Sequence, residues 1–128
     1  MDIRTHHLID QELCGQPTDL GPGFCRVTLT TTGRMAADDK GLVHGGFVFG
    51  LADYAAMLAV NDPHVVLGAA TIKFLKPVSV GDHLSAEARV SEVNGRKHIV
   101  DVIVSRDEDS LLEGQLTCFV LDRHVLEL

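Results

Sequence analysis

The sequence has no tryptophan, one tyrosine and five phenylalanines, so aromatic residues make up only 5% of its 128 positions. With so few rings, composition cannot separate a ligand pocket from a core. Cysteine is sparse as well. Cys14, Cys25 and Cys118 are widely spaced, odd in number and free of any Cys-x-x-Cys pair, which argues against a disulfide framework. The start, Met1-Asp2-Ile3-Arg4-Thr5-His6-His7, is polar with no apolar run behind it, so no secretory signal is expected and a cytoplasmic location is. The longest apolar stretch, Phe47 to Val60, has 14 residues, short of the ~20 that a spanning helix needs. Positive charge is also in deficit: 11 Lys+Arg face 18 Asp+Glu, a net −7. That balance argues against general binding to nucleic acid or to an anionic membrane surface. The seven histidines show no His-x-His or His-x-x-x-His pairing, so no metal site is expected. Repeats, low-complexity tracts and linkers are missing too.

What is present suits one domain over residues 1–128. The 45% hydrophobic content is enough for a core and excludes a disordered chain. Charge is unevenly spread: −4 over residues 1–70, +2 over 71–98 and −5 over 99–128. A small polyanion therefore remains a possible ligand of the middle third.

Residues 3–14 are expected to form a short helix, and Gln16-Pro17 through Gly21-Pro22-Gly23 reads as turn material. Phe24–Thr32 alternates, with Cys25, Val27, Leu29 and Thr31 on one face, and is read as a strand. Residues 33–43 read as a loop closed by His44-Gly45-Gly46. The apolar helix follows and ends at Asn61-Asp62-Pro63. Strands are then expected at Val65–Lys76, Leu84–Val93, His98–Ser105 and Gln115–Leu121, joined mostly by hairpins, with Asn94-Gly95 as a type I′ turn. This is an α+β pattern: an antiparallel sheet packed on one long helix.

One residue does not fit. Of the 14 residues from Phe47 to Val60, 12 are hydrophobic, one is Gly50 and one is Asp53. A helix apolar all round is expected to be wrapped all round, and a carboxylate there costs several kcal/mol unless it is paired. Its i±3 and i±4 neighbours, Phe49, Gly50, Ala56 and Met57, offer no cation. A structural aspartate bonded to a loop's amides is one explanation; a functional acid is the other. Eight residues earlier the helix starts at Gly45-Gly46, where orphan amides carry partial positive charge and the missing Cβ atoms let a ligand approach. Such amides stabilise an oxyanion. Gly45 and Asp53 stand about 12 Å apart along one axis, so joint action on one atom requires a second subunit.

The run Gly41-Leu42-Val43-His44-Gly45-Gly46-Phe47-Val48-Phe49-Gly50-Leu51-Ala52-Asp53-Tyr54-Ala55, with Asn61 beyond it, resembles the hot-dog-fold acyl-CoA thioesterases. The nearest branch is that of the phenylacetate-pathway and 4-hydroxybenzoyl-CoA thioesterases. Ile72-Lys73-Phe74-Leu75-Lys76-Pro77 followed by Gly81-Asp82 matches the family's basic-proline bend, and the resemblance covers roughly residues 24–121. It implies a hot-dog fold, in which an antiparallel sheet wraps one central helix. It also implies a homodimer often paired into a tetramer, with the active site at the dimer interface and acyl-CoA as substrate. No cofactor is implied apart from the CoA of the substrate itself.

By position, Asp53 then matches the acid acting as general base or nucleophile. Gly45 matches the amide that binds the thioester oxygen, and His44 the adjacent histidine. Where relatives carry Asn or Gln seven residues before Gly45, this chain has Asp38; a second acid near Asp53 is expected to raise one of the two pKa values. Met57 stands where some relatives hold water with Thr, leaving Thr71 as a substitute. Gly46, Lys73, Phe74, Arg96 and Lys97 complete the expected substrate contacts, with Lys76 and Arg89 adding charge. Phe47, Phe49, Tyr54, Leu58 and Phe74 are expected around the acyl group. Two other readings use the same fold: a non-catalytic acyl-CoA sensor, which would not need Asp53, and a hydratase, whose acid-histidine pattern is not seen here.

Overall fold

In the computed structural model, which describes residues 1–128, six strands form one antiparallel sheet curled about one long helix. In chain order the elements are a one-turn helix α1 (Gln11–Cys14), β1 (Gln16–Gly21), β2 (Phe24–Thr30), a 3₁₀ turn (Gly33–Met35), α2 (Gly45–Val60), β3 (Val65–Phe74), β4 (His83–Asn94), β5 (Lys97–Arg106), β6 (Asp109–Val120) and a second 3₁₀ turn (Val125–Glu127). The strands lie in the order β1-β2-β4-β5-β6-β3. The four strands after the helix are therefore not a simple meander: β3 crosses to the far edge and pairs only with β6. Register shifts that leave one extra residue in each of β1, β3, β4 and β6 are bulges, which sharpen the twist and let the sheet wrap the helix.

The core is a cluster of 26 buried residues. Cys25, Val27 and Leu29 supply it from β2, Leu84, Ala86 and Ala88 from β4, and Val100, Val102 and Val104 from β5. Each set occupies alternate positions of its strand, as period-two patterning requires. From α2 come Leu51, Ala52, Tyr54, Ala55, Met57 and Leu58, among others. The helix ends at Asn61, which takes a left-handed conformation (φ 54°) and donates its amide to the Met57 carbonyl. Its side chain accepts from the Arg4 amide and donates to the Asp2 carbonyl, each at 2.8 Å. One residue thus closes the helix and straps down the N-terminal arm.

Several local expectations need correction. Residues 3–14 are not one helix; only Gln11–Cys14 is helical, capped by the Asp10 side chain. Gln16–Gly21 is a strand and not a turn. Pro17 hid it, but β1 is an edge strand, where a missing amide is tolerated. The turn between β4 and β5 consists of Gly95 and Arg96, flanked by the pair Asn94 and Lys97. Only Gly95 has positive φ (63°), so it is not the type I′ turn expected around Asn94-Gly95. Strand β6 begins at Asp109, six residues before the expected start.

Candidate active site

The segment leading into α2 is pinned from several directions. Ala36 bridges Val43, and Leu42 bridges Ser79. The Val43 amide donates to the Val78 carbonyl at 2.8 Å and the His44 amide to the Met35 carbonyl at 2.9 Å. The Asp38 carboxylate accepts from the Lys40 and Leu42 amides at 3.0 and 3.1 Å. Asp38 is therefore exposed and spent on the turn, and it makes no contribution to the environment of Asp53 within the chain.

His44 is the N-cap of α2. Its Nδ1 accepts from the Gly46 amide at 2.8 Å, which leaves the proton of the neutral ring on Nε2. A Cβ at Gly46 would lie 2.8 Å from that Nδ1, so glycine is what allows the cap to close. The Phe47 amide returns to the His44 carbonyl. The Gly45 amide has no partner in the chain and points out of the helix N-terminus, available to an incoming oxygen. A Cβ there would meet the Phe74 ring at 3.4 Å, so this ring forms one wall beside the free amide. Behind it a cavity of about 340 Å³ is lined chiefly by Leu42, Val48, Phe74, Leu75 and Val78. Leu42 and Val78 lie in connections between elements, and as apolar residues inside otherwise polar loops they are the signal for this wall in the sequence.

Asp53 sits further along the same helix. The sheet does not wrap α2 completely, contrary to expectation: Gly46, Phe49, Gly50 and Asp53 keep part of their surface open. At 3.6 residues per turn these positions share one face, and space above Gly50 is empty. Asp53 Oδ1 is buried and has no hydrogen-bond partner in the chain. Burial lifts the Asp53 pKa from 3.8 to about 6, since desolvation penalises the charged form. The lift expected from a second acid is not its cause. The Cys14 and Cys118 thiols are pushed up by burial first and by the Asp53 charge in addition. Both are protonated at neutral pH and are poor nucleophiles.

The remaining expected residues fall into three groups. Tyr54 and Leu58 are core, at 2% and 0% exposure, and do not line a pocket. Thr71 and Lys73 lie exposed on β3, whose outer edge is unpaired. Lys73 and Lys97 have no acidic partner, whereas Arg96 is bound to Asp122 at 2.6 Å and Lys76 to Asp109 at 2.7 Å. The hairpin therefore presents less free charge than its sequence suggested.

Residues 40–113, the span holding both the Gly45 amide and Asp53, match the family model of the thioesterase superfamily. The chain belongs to that superfamily. The acyl-coenzyme A thioesterase PaaI of Escherichia coli is 31% identical over 83% of this chain and 81% of its own length. A solved structure of PH1136 from Pyrococcus horikoshii, described as uncharacterized, is 54% identical, superposes with a TM-score of 0.97, and is covered at 98% and 97% of the two chains. The sheet curled on one helix is thus the hot-dog fold of these thioesterases, as the sequence implied. A methylthioribose-1-phosphate isomerase of Aquifex aeolicus is 55% identical over 95% of this chain, which spans only 27% of that protein. Among the first curated relatives, the chain spans between about a quarter and three-fifths of their lengths.

Proposed function

We propose that this member of the superfamily hydrolyses the thioester of a small or medium acyl-CoA. Asp53 is the general base or nucleophile, and the Gly45 amide is the oxyanion donor. The observation that carries the reading is the half-buried Asp53 carboxylate, unpaired and with Oδ1 out of reach of solvent, on the open stripe of α2. A carboxylate with a pKa near 6 is still mostly ionised at pH 7, yet it is a stronger base than an ordinary aspartate. Attack on the carbonyl carbon moves negative charge onto its oxygen, which a free helix-terminal amide stabilises. With Asp53 as base, it takes the proton of the attacking water, and collapse of the tetrahedral intermediate expels the thiolate of CoA and leaves the free acid; with Asp53 as nucleophile, collapse expels the thiolate and leaves a mixed anhydride that water then cleaves.

Asp53 and Gly45 of one chain lie about 12 Å apart along the axis, too far for one reacting group. We therefore assign each site to two copies, Asp53 from one and Gly45 from the other. The unpaired edge of β3, ten residues with Lys73 as its only charge, supports a second copy: an uncharged edge of that length invites strand pairing. His44 positions the Gly45 and Gly46 amides through its cap, and Phe74 with its apolar cavity receives the acyl group. Lys73 and Lys97 are the cations available to the CoA phosphates; Thr71 is offered from β3 to order water, and Asp38 acts only by holding the turn that leads to the Gly45 amide.

The test is release of free thiol from a panel of acyl-CoAs, compared between the parent chain and Asp53→Asn. Turnover that is lost in the variant with CoA binding retained supports the reading. Full hydrolysis by the variant sinks it, and tight acyl-CoA binding by the parent without thiol release would point to a sensor.

A further inference from the structure

At the end of α2 opposite Gly45, about 24 Å away along the helix, three parts of the chain enclose a second cavity of about 580 Å³. The N-terminal arm brings Arg4, His6 and His7; the connection into β3 brings His64; the C-terminal segment brings His124. Four of the seven histidines and one arginine thus converge on one cavity. No acidic side chain lines it, in a chain with net charge −7. The nearby Asp62 carboxylate is turned to the His64 amide, at 2.8 Å. Of the seven arginines, Arg26, Arg34, Arg96 and Arg106 are paired with carboxylates; the Arg4 guanidinium, like those of Arg89 and Arg123, has neither an ion pair nor a hydrogen bond.

The ring nitrogens specify more than positive charge. Each histidine commits one nitrogen to the chain and leaves the other without a partner. His64 Nδ1 donates to the Leu121 carbonyl at 3.2 Å, and His7 Nε2 donates to the Ile3 carbonyl at 2.8 Å. A carbonyl only accepts, so in the neutral rings His64 Nε2 and His7 Nδ1 keep bare lone pairs. His124 Nδ1 accepts from the Leu126 amide at 3.1 Å, which leaves its Nε2–H as a donor. His6 is held by Thr5 at 2.8 Å and packs near the Tyr54 ring; burial lowers its pKa and keeps it neutral. With neutral rings the cavity thus sets donors (Arg4, His124) beside acceptors (His64, His7).

A ligand that satisfies both must be an anion that also carries a hydrogen-bond donor. Sulfate and phosphodiesters have only acceptor oxygens. A phosphomonoester, with its second pKa near 6, retains one P–OH in part of its population at neutral pH. We propose that this cavity binds a phosphomonoester, with Arg4 and His124 on its anionic oxygens and the lone pair of His64 or His7 taking its single P–OH. The inference does not depend on the thioesterase reading, because neither Asp53 nor Gly45 takes part in it.

The test is calorimetric titration of the full chain at pH 7 with inorganic phosphate and, separately, with sulfate. Phosphate should bind at least about tenfold more tightly, because sulfate leaves the acceptors unpaired. Arg4→Ala should weaken phosphate at least about tenfold through loss of a charge-assisted pair. It leaves the arm in place, since it is the Arg4 backbone amide that bonds Asn61. Whichever of His64 and His7 takes the P–OH, its replacement by Phe should bring the phosphate-to-sulfate ratio towards one; a ratio unchanged in both His64→Phe and His7→Phe would overturn the proposal. Coenzyme A against dephospho-coenzyme A distinguishes the sources: a preference for the former assigns the 3′-phosphate of CoA, and equal binding assigns another phosphomonoester. Equal affinity for phosphate and sulfate, no heat with phosphate, or an unchanged Arg4→Ala would each overturn the proposal.

Discussion

Asp53→Asn is expected to make the protein more stable and less active at once, and the pH dependence of the gain identifies its cause. In the folded chain burial holds the Asp53 pKa at about 6, against 3.8 ordinarily. At 1.36 kcal/mol per pH unit, that difference is about 3 kcal/mol against the ionised form at pH 7. Partial access to water along the open stripe reduces the realised cost to about 1–2 kcal/mol. The sign follows from proton counting. Between pH 3.8 and 6 the folded state binds more protons than the unfolded state, so stability falls as pH rises through that window and stays low above it. Asparagine removes the charge and keeps the shape. The variant should therefore melt about 3–10 °C above the parent at pH 7.5, taking 3–5 °C per kcal/mol for a domain of this size. The advantage should shrink to a small remainder by about pH 4, where the folded carboxyl is neutral, and vanish below the unfolded value of 3.8. Scanning calorimetry at matched protein concentration from pH 4 to 8 gives the comparison, since an oligomer's melting depends on concentration. A variant less stable than the parent at pH 7.5, or a difference independent of pH, would refute the reasoning, because Asp53 would then have a stabilising partner.

The same carboxylate sets the activity profile: kcat/KM for thioester hydrolysis should rise with pH through about 6 and level off above it, and Asp53→Asn should lower it about 10²–10⁴-fold, as followed by thiol release. His44→Ala removes the N-cap and should cost about 0.5–2 kcal/mol in urea unfolding, with a fall in activity that His44→Asn partly restores by capping in its place. Asn61→Ala loses the left-handed cap and both bonds to the N-terminal arm; amide hydrogen exchange should quicken in residues 2–6 well before it does in β4 or β5. Leu116→Ala, at a fully buried position of β6, should destabilise by about 2–5 kcal/mol through the cavity it leaves.

The fold was legible wherever periodicity was strong. The alternation Leu84, Ala86, Ala88 and the dense Val-Ile run of β5 placed their strands within a residue or two, and the unbroken apolar stretch placed α2. It failed at β1, where Pro17 obeys a rule for edge strands that sequence cannot apply without knowing the edge. It failed also over the strand order, because β3 and β6 pair across a long separation. Asp53 stood out in the sequence because no neighbour at helical spacing could pair it, and in the structure it remains unpaired. The Gly45-Gly46 turn was legible from the missing Cβ atoms. What was not legible is competition for side chains within the chain. Asp38 is consumed by two turn amides, Arg96 by Asp122, and Tyr54 and Leu58 by the core. Each depends on a partner distant in sequence or on a face fixed only by packing.

The central claim, that two copies assemble each site with Asp53 from one and the Gly45 amide from the other, is tested most directly by mixing two disabled variants. Asp53→Asn removes the base. Gly45→Pro removes the oxyanion donor at the first helical position, where proline is well tolerated, and His44 already has the extended conformation (φ −62°, ψ 133°) that a following proline favours. Each variant alone should be nearly inactive, with the loss of one oxyanion donor costing about 10²–10³ in kcat. After co-refolding in equal amounts, half the dimers are hybrids, each with one intact site of two, so activity should return to about a quarter of the parent's. Activity that stays at the level of the separate variants would contradict the account.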